Sequence, residues 1–380
     1  MNFTKVQPEN NGFRVTWEDG STSNMPYIWL RDNDQDELHP HTGERTFDLT
    51  SVPLDIIPND FKLEFNDQAS LSRICINWPN KDGASYYMAQ WLYAHRPGRA
   101  RYDAAAIERK SWAAKEMVSL ARFDAVDCAR SARVLSDALT TLKQTGIILI
   151  HNLDDDLNAG EKFGDLIGFK RETNYGVMFE VQSKPQPNNL AYTSLALPLH
   201  TDLANQEFVP GNQFLHCYRN EARGGGSVFA DAMAIVEDFK HDYPEYHRTL
   251  CELSVPWHFL DGKDDVRYNR PVIGLNREGK FDTLTFNAHL ADIADFDADL
   301  LYSFYAAYQQ LMGRIRGASY NIEYALKNGE MVIFDNQRVL HGRAAFDPTS
   351  GKRHLRGYYI EHNEINSRIR MLDKQLVSSP

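Results

Sequence analysis

His200-Thr201-Asp202 and, far downstream, Val332-Ile333-Phe334-Asp335-Asn336-Gln337-Arg338-Val339-Leu340-His341-Gly342-Arg343 decide how the rest of the chain reads. Two imidazoles and one carboxylate can occupy one face of an octahedral ferrous ion, leaving three positions for a chelating co-substrate and dioxygen. A His-x-Asp pair alone has little weight, because alternate residues of any strand share a face. The second stretch adds more: an apolar strand runs into a turn and then into His341. Twelve positions further on, Arg353 opens the strand-like segment Arg353-His354-Leu355-Arg356-Gly357-Tyr358-Tyr359-Ile360. A guanidinium fork pairs bidentately with a carboxylate, so an arginine there suits the far end of a 2-oxoglutarate whose 2-oxo acid chelates the iron. The expectation is therefore an oxygenase using Fe(II), 2-oxoglutarate and O2, with His200, Asp202 and His341 as metal and catalytic residues and Arg353 on the co-substrate.

The 380 residues suffice for one large and one small domain. A hydrophobic content of 42% with 24% charged residues fits an ordinary soluble globular chain. The net charge of −11 opposes a nucleic-acid partner, since phosphate binding needs a basic face. No apolar run approaches the ~20 residues of a membrane span, and Met1-Asn2-Phe3-Thr4-Lys5 lacks the basic and apolar regions of a secretory signal. A cytoplasmic protein with no membrane partner is expected, and Cys75, Cys128, Cys217 and Cys251 read as free thiols.

Residues 1 to 95 read as a small β-rich domain, with strands over 13–17, 25–30, 61–65 and 74–78 and a closing helix over 86–95. Arg96-Pro97-Gly98-Arg99 is the candidate linker. In residues 104–380 the spacing predicts helices over 104–121, 125–143 and 298–316, a buried strand over 146–150, and otherwise short strands alternating with loops. The fold class is α+β: a double-stranded β-helix, or jelly roll, with outer helices. Periodicity by itself fits other sandwiches equally.

Leu199-His200-Thr201-Asp202, Ala222-Arg223-Gly224-Gly225-Gly226-Ser227-Val228-Phe229-Ala230-Asp231, Phe334 to Arg343, and Arg353-His354-Leu355-Arg356-Gly357 together resemble the iron- and 2-oxoglutarate-dependent oxygenases of the γ-butyrobetaine and trimethyllysine hydroxylase group, within the taurine dioxygenase superfamily. The resemblance spans nearly the whole chain and implies a homodimer acting on a small zwitterion. A quaternary ammonium has no N–H to donate, so ring faces must hold it. Tyr175-Gly176-Val177-Met178-Phe179 and Asn188-Asn189-Leu190-Ala191-Tyr192 resemble the segments that supply such rings, and Tyr359 matches another. By resemblance, the substrate-binding residues are Tyr175, Phe179, Asn189, Tyr192 and Tyr359, with Asn287 on the carboxylate. Phe179 stands where the family has tryptophan. His289 shares the face of Asn287 if that strand runs on, and otherwise opens a surface loop. The substrate the resemblance implies is γ-butyrobetaine, giving carnitine, and the rivals are a trimethylaminoalkyl phosphonate and a non-catalytic metal-binding barrel. Relatives also carry an amino-terminal zinc site built on cysteines after a Trp-Leu-Arg-Asp-Asn segment. Here Trp29 to Asn33 is followed by Asp34, Asp36 and His39, poor ligands for structural zinc, so the site is expected to be lost.

Overall fold

A computed structural model describes residues 1–65, 72–117, 119–182 and 193–378. The chain divides after Asp103 into two compact units.

In the first unit β1 (Phe3–Glu9), β2 (Gly12–Trp17) and β3 (Thr22–Pro26) form one antiparallel sheet, followed by α1 (Tyr27–Asp32). A second sheet is made of β4 (Asp60–Glu64), β5 (Arg73–Asn77) and β6 (Ala84–Met88), and α2 (Ala89–His95) follows it. Phe13, Val15, Trp17, Leu30, Ile74, Ile76, Trp78 and Tyr87 form their common core. Two expectations need correction. The strand over 25–30 is mostly helix, because Tyr27, Leu30 and Arg31 are buried at helical spacing. The helix over 86–95 begins only at Ala89; before it, Ser85 and Tyr87 alternate inward as a strand.

The acidic segment of this unit is engaged internally. Buried Asp34 accepts hydrogen bonds from Lys81 Nζ at 2.6 Å and from Ser85 Oγ. Lys81 Nζ also lies 3.4 Å from Asp36 Oδ2, while Arg31 forks onto Glu37 at 2.8 and 2.9 Å. Exposed His39 uses Nδ1 to accept backbone N–H groups of His41 and Thr42.

The second unit runs β7 (Arg122–Asp124), α3 (Ala125–Arg130), α4 (Ala132–Thr145), β8 (Ile147–His151), α5 (Ala159–Gly164), β9 (Lys170–Arg171), β10 (Phe179–Val181), β11 (Leu197–His200), β12 (Asn212–Asn220), β13 (Arg223–Gly224), β14 (Ser227–Asp231), α6 (Ala232–Asp242) and α7 (Pro244–Glu252). It continues with β15 (Val255–Leu260), β16 (Asp265–Arg270), β17 (Ile273–Leu275), β18 (Phe281–Leu284), α8 (Ala298–Ile315), β19 (Asn321–Tyr324), β20 (Glu330–Asp335), β21 (Val339–Arg343), β22 (Phe346–Asp347), β23 (Arg353–Ile360) and α9 (His362–Ser378). Strands β10-β23-β12-β20-β8-β7 form the large sheet, with β9 also on β23; β11-β21-β14-β19 form the small one. Every pair is antiparallel except β7 with β8. This is a jelly roll with helices outside. Side chains alternate across each strand. Thus Phe214, Ile333 and Tyr358 face a layer that includes α4 and α9, whereas Phe229, Val332, Phe334, Val339 and Leu355 pack with one another in a separate cluster. Ala230 and Leu340 of the small sheet pack with α6 and α8.

Among the described residues of 104–121 no helix forms. Tertiary anchors hold that segment instead: Lys110 N–H donates to Gln144 O at 2.8 Å, Trp112 N–H to Asp231 Oδ2 at 3.0 Å, and the Trp112 indole to Thr145 O at 2.7 Å. The helix over 125–143 is interrupted at Ser131, whose hydroxyl caps α4 through Val134 N–H. The four cysteines are free, and no described helix is long and apolar enough to cross a membrane.

Candidate active site

The pairing of β11 with β21 sets His200 directly opposite His341, with ring centroids 4.3 Å apart. Asp202 follows two residues after His200: its Oδ1 lies 3.2 Å from His200 Nε2 and its Oδ2 3.5 Å from His341 Nε2. Among the described residues this is the one His/Asp cluster suited to a metal ion, with ligand atoms all within 4.8 Å of each other.

Several bonds hold it in shape. His200 Nδ1 pairs with Pro198 O at 2.9 Å, which turns the lone pair of Nε2 towards the cluster. Asn336 clamps the backbone of Asp202: its Oδ1 accepts from Asp202 N–H at 2.8 Å and its Nδ2 donates to Asp202 O at 3.2 Å. Thr201 is tied to Phe286 by N–H to O at 2.7 Å, and the Phe286 N–H returns to Thr201 Oγ1 at 3.0 Å. Leu203, next in line, takes a left-handed backbone with φ 57°, which a residue bearing a Cβ adopts at a cost.

The cluster keeps its carboxylate ionised. Burial opposes the charge on Asp202, but His341 and His200 overcome it and hold the carboxyl well below its ordinary range. Burial would lower His200, yet its bond to Asp202 raises it; His341 is lowered, by burial and then by the charge of His200. Two imidazole nitrogens and a carboxylate without thiolates suit ferrous iron.

A cavity of about 630 Å3 opens over this cluster between the two sheets. Gln213 and Leu215 of β12, Ser227 of β14, and Arg353, Leu355 and Tyr359 of β23 line it at alternate positions. Arg353 donates from Nη2 to Gly225 O at 3.1 Å, and its Nε is buried with no partner among the described residues. Consecutive positive φ angles at Gly224 and Gly225, 85° and 72°, make the turn that brings this carbonyl in; a Cβ on Gly225 would meet Arg353 Nε at 3.0 Å. Burial and then the charge of Arg343 push the Arg353 guanidinium down to about 10. A guanidinium so placed fits a carboxylate brought in by a ligand. Arg343 shares the cavity and donates to Thr193 O and Leu195 O at 2.7 and 2.8 Å. Arg356 points to the other face of β23, where it meets Asn158, Glu161 and Glu180.

Tyr175, Phe179 and Tyr359 contribute rings to the cavity wall, with Phe179 and Tyr359 5.4 Å apart. Phe179 sits opposite Gly357 in register, and its ring occupies the space where a Cβ of Gly357 would stand. Asn189 and Tyr192 lie outside the described residues. Asn287 reaches the cavity but is already bonded, through Nδ2 to Thr201 O at 3.2 Å and through Oδ1 to the His289 N–H at 3.1 Å. His289 also lines the cavity; it sits in a turn beyond β18.

Several further residues line the cavity without any signal in the sequence. His258, Phe259 and Leu260 of β15 form one wall, with Phe259 edge-on to Tyr175 at 5.9 Å. His258 is held between Asp265 and Asp292 at 3.0 and 3.1 Å. An apolar strand of ordinary pattern carries no mark of which cavity it faces. Asn336 lies within the decisive stretch, but its partner Asp202 is 134 positions away.

A jelly roll with a His-Asp-His cluster and a half-buried arginine over it defines an oxygenase dependent on iron and 2-oxoglutarate. The family model described as taurine catabolism dioxygenase TauD, TfdA family matches residues 107–359, and one described as gamma-butyrobetaine hydroxylase-like, N-terminal, matches residues 4–93. The chain belongs to the TauD/TfdA family and is a dioxygenase using Fe(II), 2-oxoglutarate and O2. It is 34% identical over 369 residues to a gamma-butyrobetaine dioxygenase of Pseudomonas sp. (strain AK-1), covering 96% of this chain and 94% of that one. It is 28% identical to the gamma-butyrobetaine dioxygenase of Homo sapiens, covering 96% and 95%, and 26% identical to a trimethyllysine dioxygenase of Meyerozyma guilliermondii, covering 98% and 96%. Among solved structures, an asparagine oxygenase in complex with Fe(II), 3-hydroxyasparagine and succinate shares the fold at a TM-score of 0.50 and 15% identity, covering 62% of this chain and 83% of that one.

Proposed function

We propose that the chain hydroxylates a small zwitterion with a trimethylammonium head, with γ-butyrobetaine as the leading substrate and carnitine as product. The observation that supports this is the cavity lining: among the described residues it holds the rings of Tyr175, Phe179, Phe259 and Tyr359, and its single carboxylate is Asp202. A cation away from Asp202 then has ring faces to rest on. The names of the relatives point the same way.

His200, Asp202 and His341 would hold the iron, and Arg353 would fork onto the distal carboxylate of 2-oxoglutarate. When bound, iron and 2-oxoglutarate supply the oxidant, as O2 converts the 2-oxo acid to succinate and carbon dioxide. The chain's own residues orient and shield. Aromatic rings hold one end of the substrate, and Asn287, with one amide hydrogen still to donate, meets the other. Leu197, Leu203, Leu215 and Leu290 line the cavity and keep water from the reacting carbon. His289 beside Asn287 favours a second reading, a trimethylaminoalkyl phosphonate, whose dianion would use the extra donor.

Incubation with iron, 2-oxoglutarate and a panel of trimethylammonium carboxylates and phosphonates, followed by product and succinate measurement, tests this. One panel member should give equal amounts of hydroxylated product and succinate. A neutral isostere with carbon for nitrogen should bind about 1 to 2 kcal/mol more weakly; equal binding, or no product from any quaternary ammonium, sinks the assignment.

A further inference from the structure

We propose that Tyr359 is a positioning residue for the metal-binding carboxylate as well as a wall of the cavity: its phenol holds Asp202 in the rotamer that faces the two imidazoles. The inference rests on reading His200, Asp202 and His341 as the iron site. Tyr359 Oη donates to Asp202 Oδ2 across 2.7 Å, and the tyrosine is 4% exposed. The backbone of Asp202 is fixed separately, by Asn336 on both its N–H and its C=O. What that clamp leaves open is the side chain, whose terminal torsion is broad and roughly two-fold. The phenol closes this freedom. It takes Oδ2 and leaves Oδ1 3.2 Å from His200 Nε2.

The placement follows from β23. Tyr359 lies six residues beyond Arg353 on the same face, with Gln213 of β12 and Arg171 of β9 as its strand neighbours. One strand thus carries the arginine for the co-substrate at one end and the donor to the metal's carboxylate at the other. Partners of ligating groups fix their orientation, and removing one typically costs about 10- to 100-fold in metal affinity.

Tyr359→Phe keeps the ring, its volume and its face, and removes only the donor. Tyr359→Leu removes both. The experiment titrates Co(II), and anaerobically Fe(II), into wild type, the two variants and His341→Ala, and records the visible absorption of the Fe(II)–2-oxoglutarate chelate alongside KM for the preferred trimethylammonium substrate. Tyr359→Phe should bind either metal about ten-fold or more weakly, shift the chelate absorption, and leave the substrate KM little changed. Tyr359→Leu should lose metal affinity similarly and raise that KM as well. If wild type binds no metal, or His341→Ala binds it equally well, the triad reading falls. If wild type binds and Tyr359→Phe matches it in affinity and absorption, the triad stands and the role of Tyr359 is overturned.

Discussion

Arg338 and Arg353 both belong to the second unit, and their surroundings are opposite. Arg338 is wholly buried: Nε and Nη2 donate to Asp231 at 2.9 and 2.8 Å, Nη1 to Gln144 O at 3.0 Å, and Nη2 again to Lys110 O at 2.5 Å. Arg353 makes one hydrogen bond, to Gly225 O, among the described residues, and its charged neighbour is another arginine. An arginine completed from within belongs to the fold. One left incomplete beside a cavity fits the role proposed for Arg353, since a partly buried charge without an internal partner gains most from a carboxylate that a ligand brings.

The largest effect expected from this contrast is at the completed pair. Arg338→Ala, which strands Asp231, should cost about 3 to 5 kcal/mol in chemical unfolding. A loss below about 1 kcal/mol would place Arg338 with ordinary surface ion pairs. Next comes His216, a buried ring on β12 that burial pushes down to about 4 from its ordinary 6.5. Above pH 6.5 neither folded nor unfolded chain protonates it. Between 6.5 and 4 only the unfolded chain does, so stability should fall with falling pH by up to about 3 kcal/mol and level off below 4. His216→Gln should flatten that part of the profile relative to wild type; an identical slope refutes it.

At Arg353 the effect should appear only with the guest. Wild type should gain about 2.7 kcal/mol from 2-oxoglutarate at a hundred times its Kd, with divalent metal present. Arg353→Met should gain almost nothing, yet be at least as stable as wild type without ligand. An equal gain would hand the carboxylate to Arg343. The smallest effect is at Lys81, whose ammonium lies against Asp34 and Ser85. Lys81→Met should cost about 2 kcal/mol, and protein prepared without added metal should carry no stoichiometric zinc in its first unit. One tightly held zinc per chain would show that the lysine is not what completes Asp34.

What could be read in advance was local. His200 and Asp202 are two residues apart, and Arg353 and Tyr359 share a face by strand parity, so their convergence follows from spacing. What could not be read joins distant positions: Asn336 reaches Asp202, Tyr359 reaches the same carboxylate from 157 residues away, and Lys81 reaches Asp34 from 47. The segment 104–121 failed for a related reason, because helical spacing gave no sign that Asp231, Gln144 and Thr145 would capture its backbone and indole.

The missing side chain of Gly357 acts as a caliper for the cavity. Because the Phe179 ring rests where a Cβ would be, one methyl group at position 357 would drive that ring inward and narrow the chamber, with no residue that touches the guest exchanged. A larger ring at 179 would have nowhere to retreat and would project into the same space. On the proposed function, the width open to a guest is thus set by a residue with nothing to present to it, and Gly357→Ala should reject bulky quaternary heads before it affects slender ones.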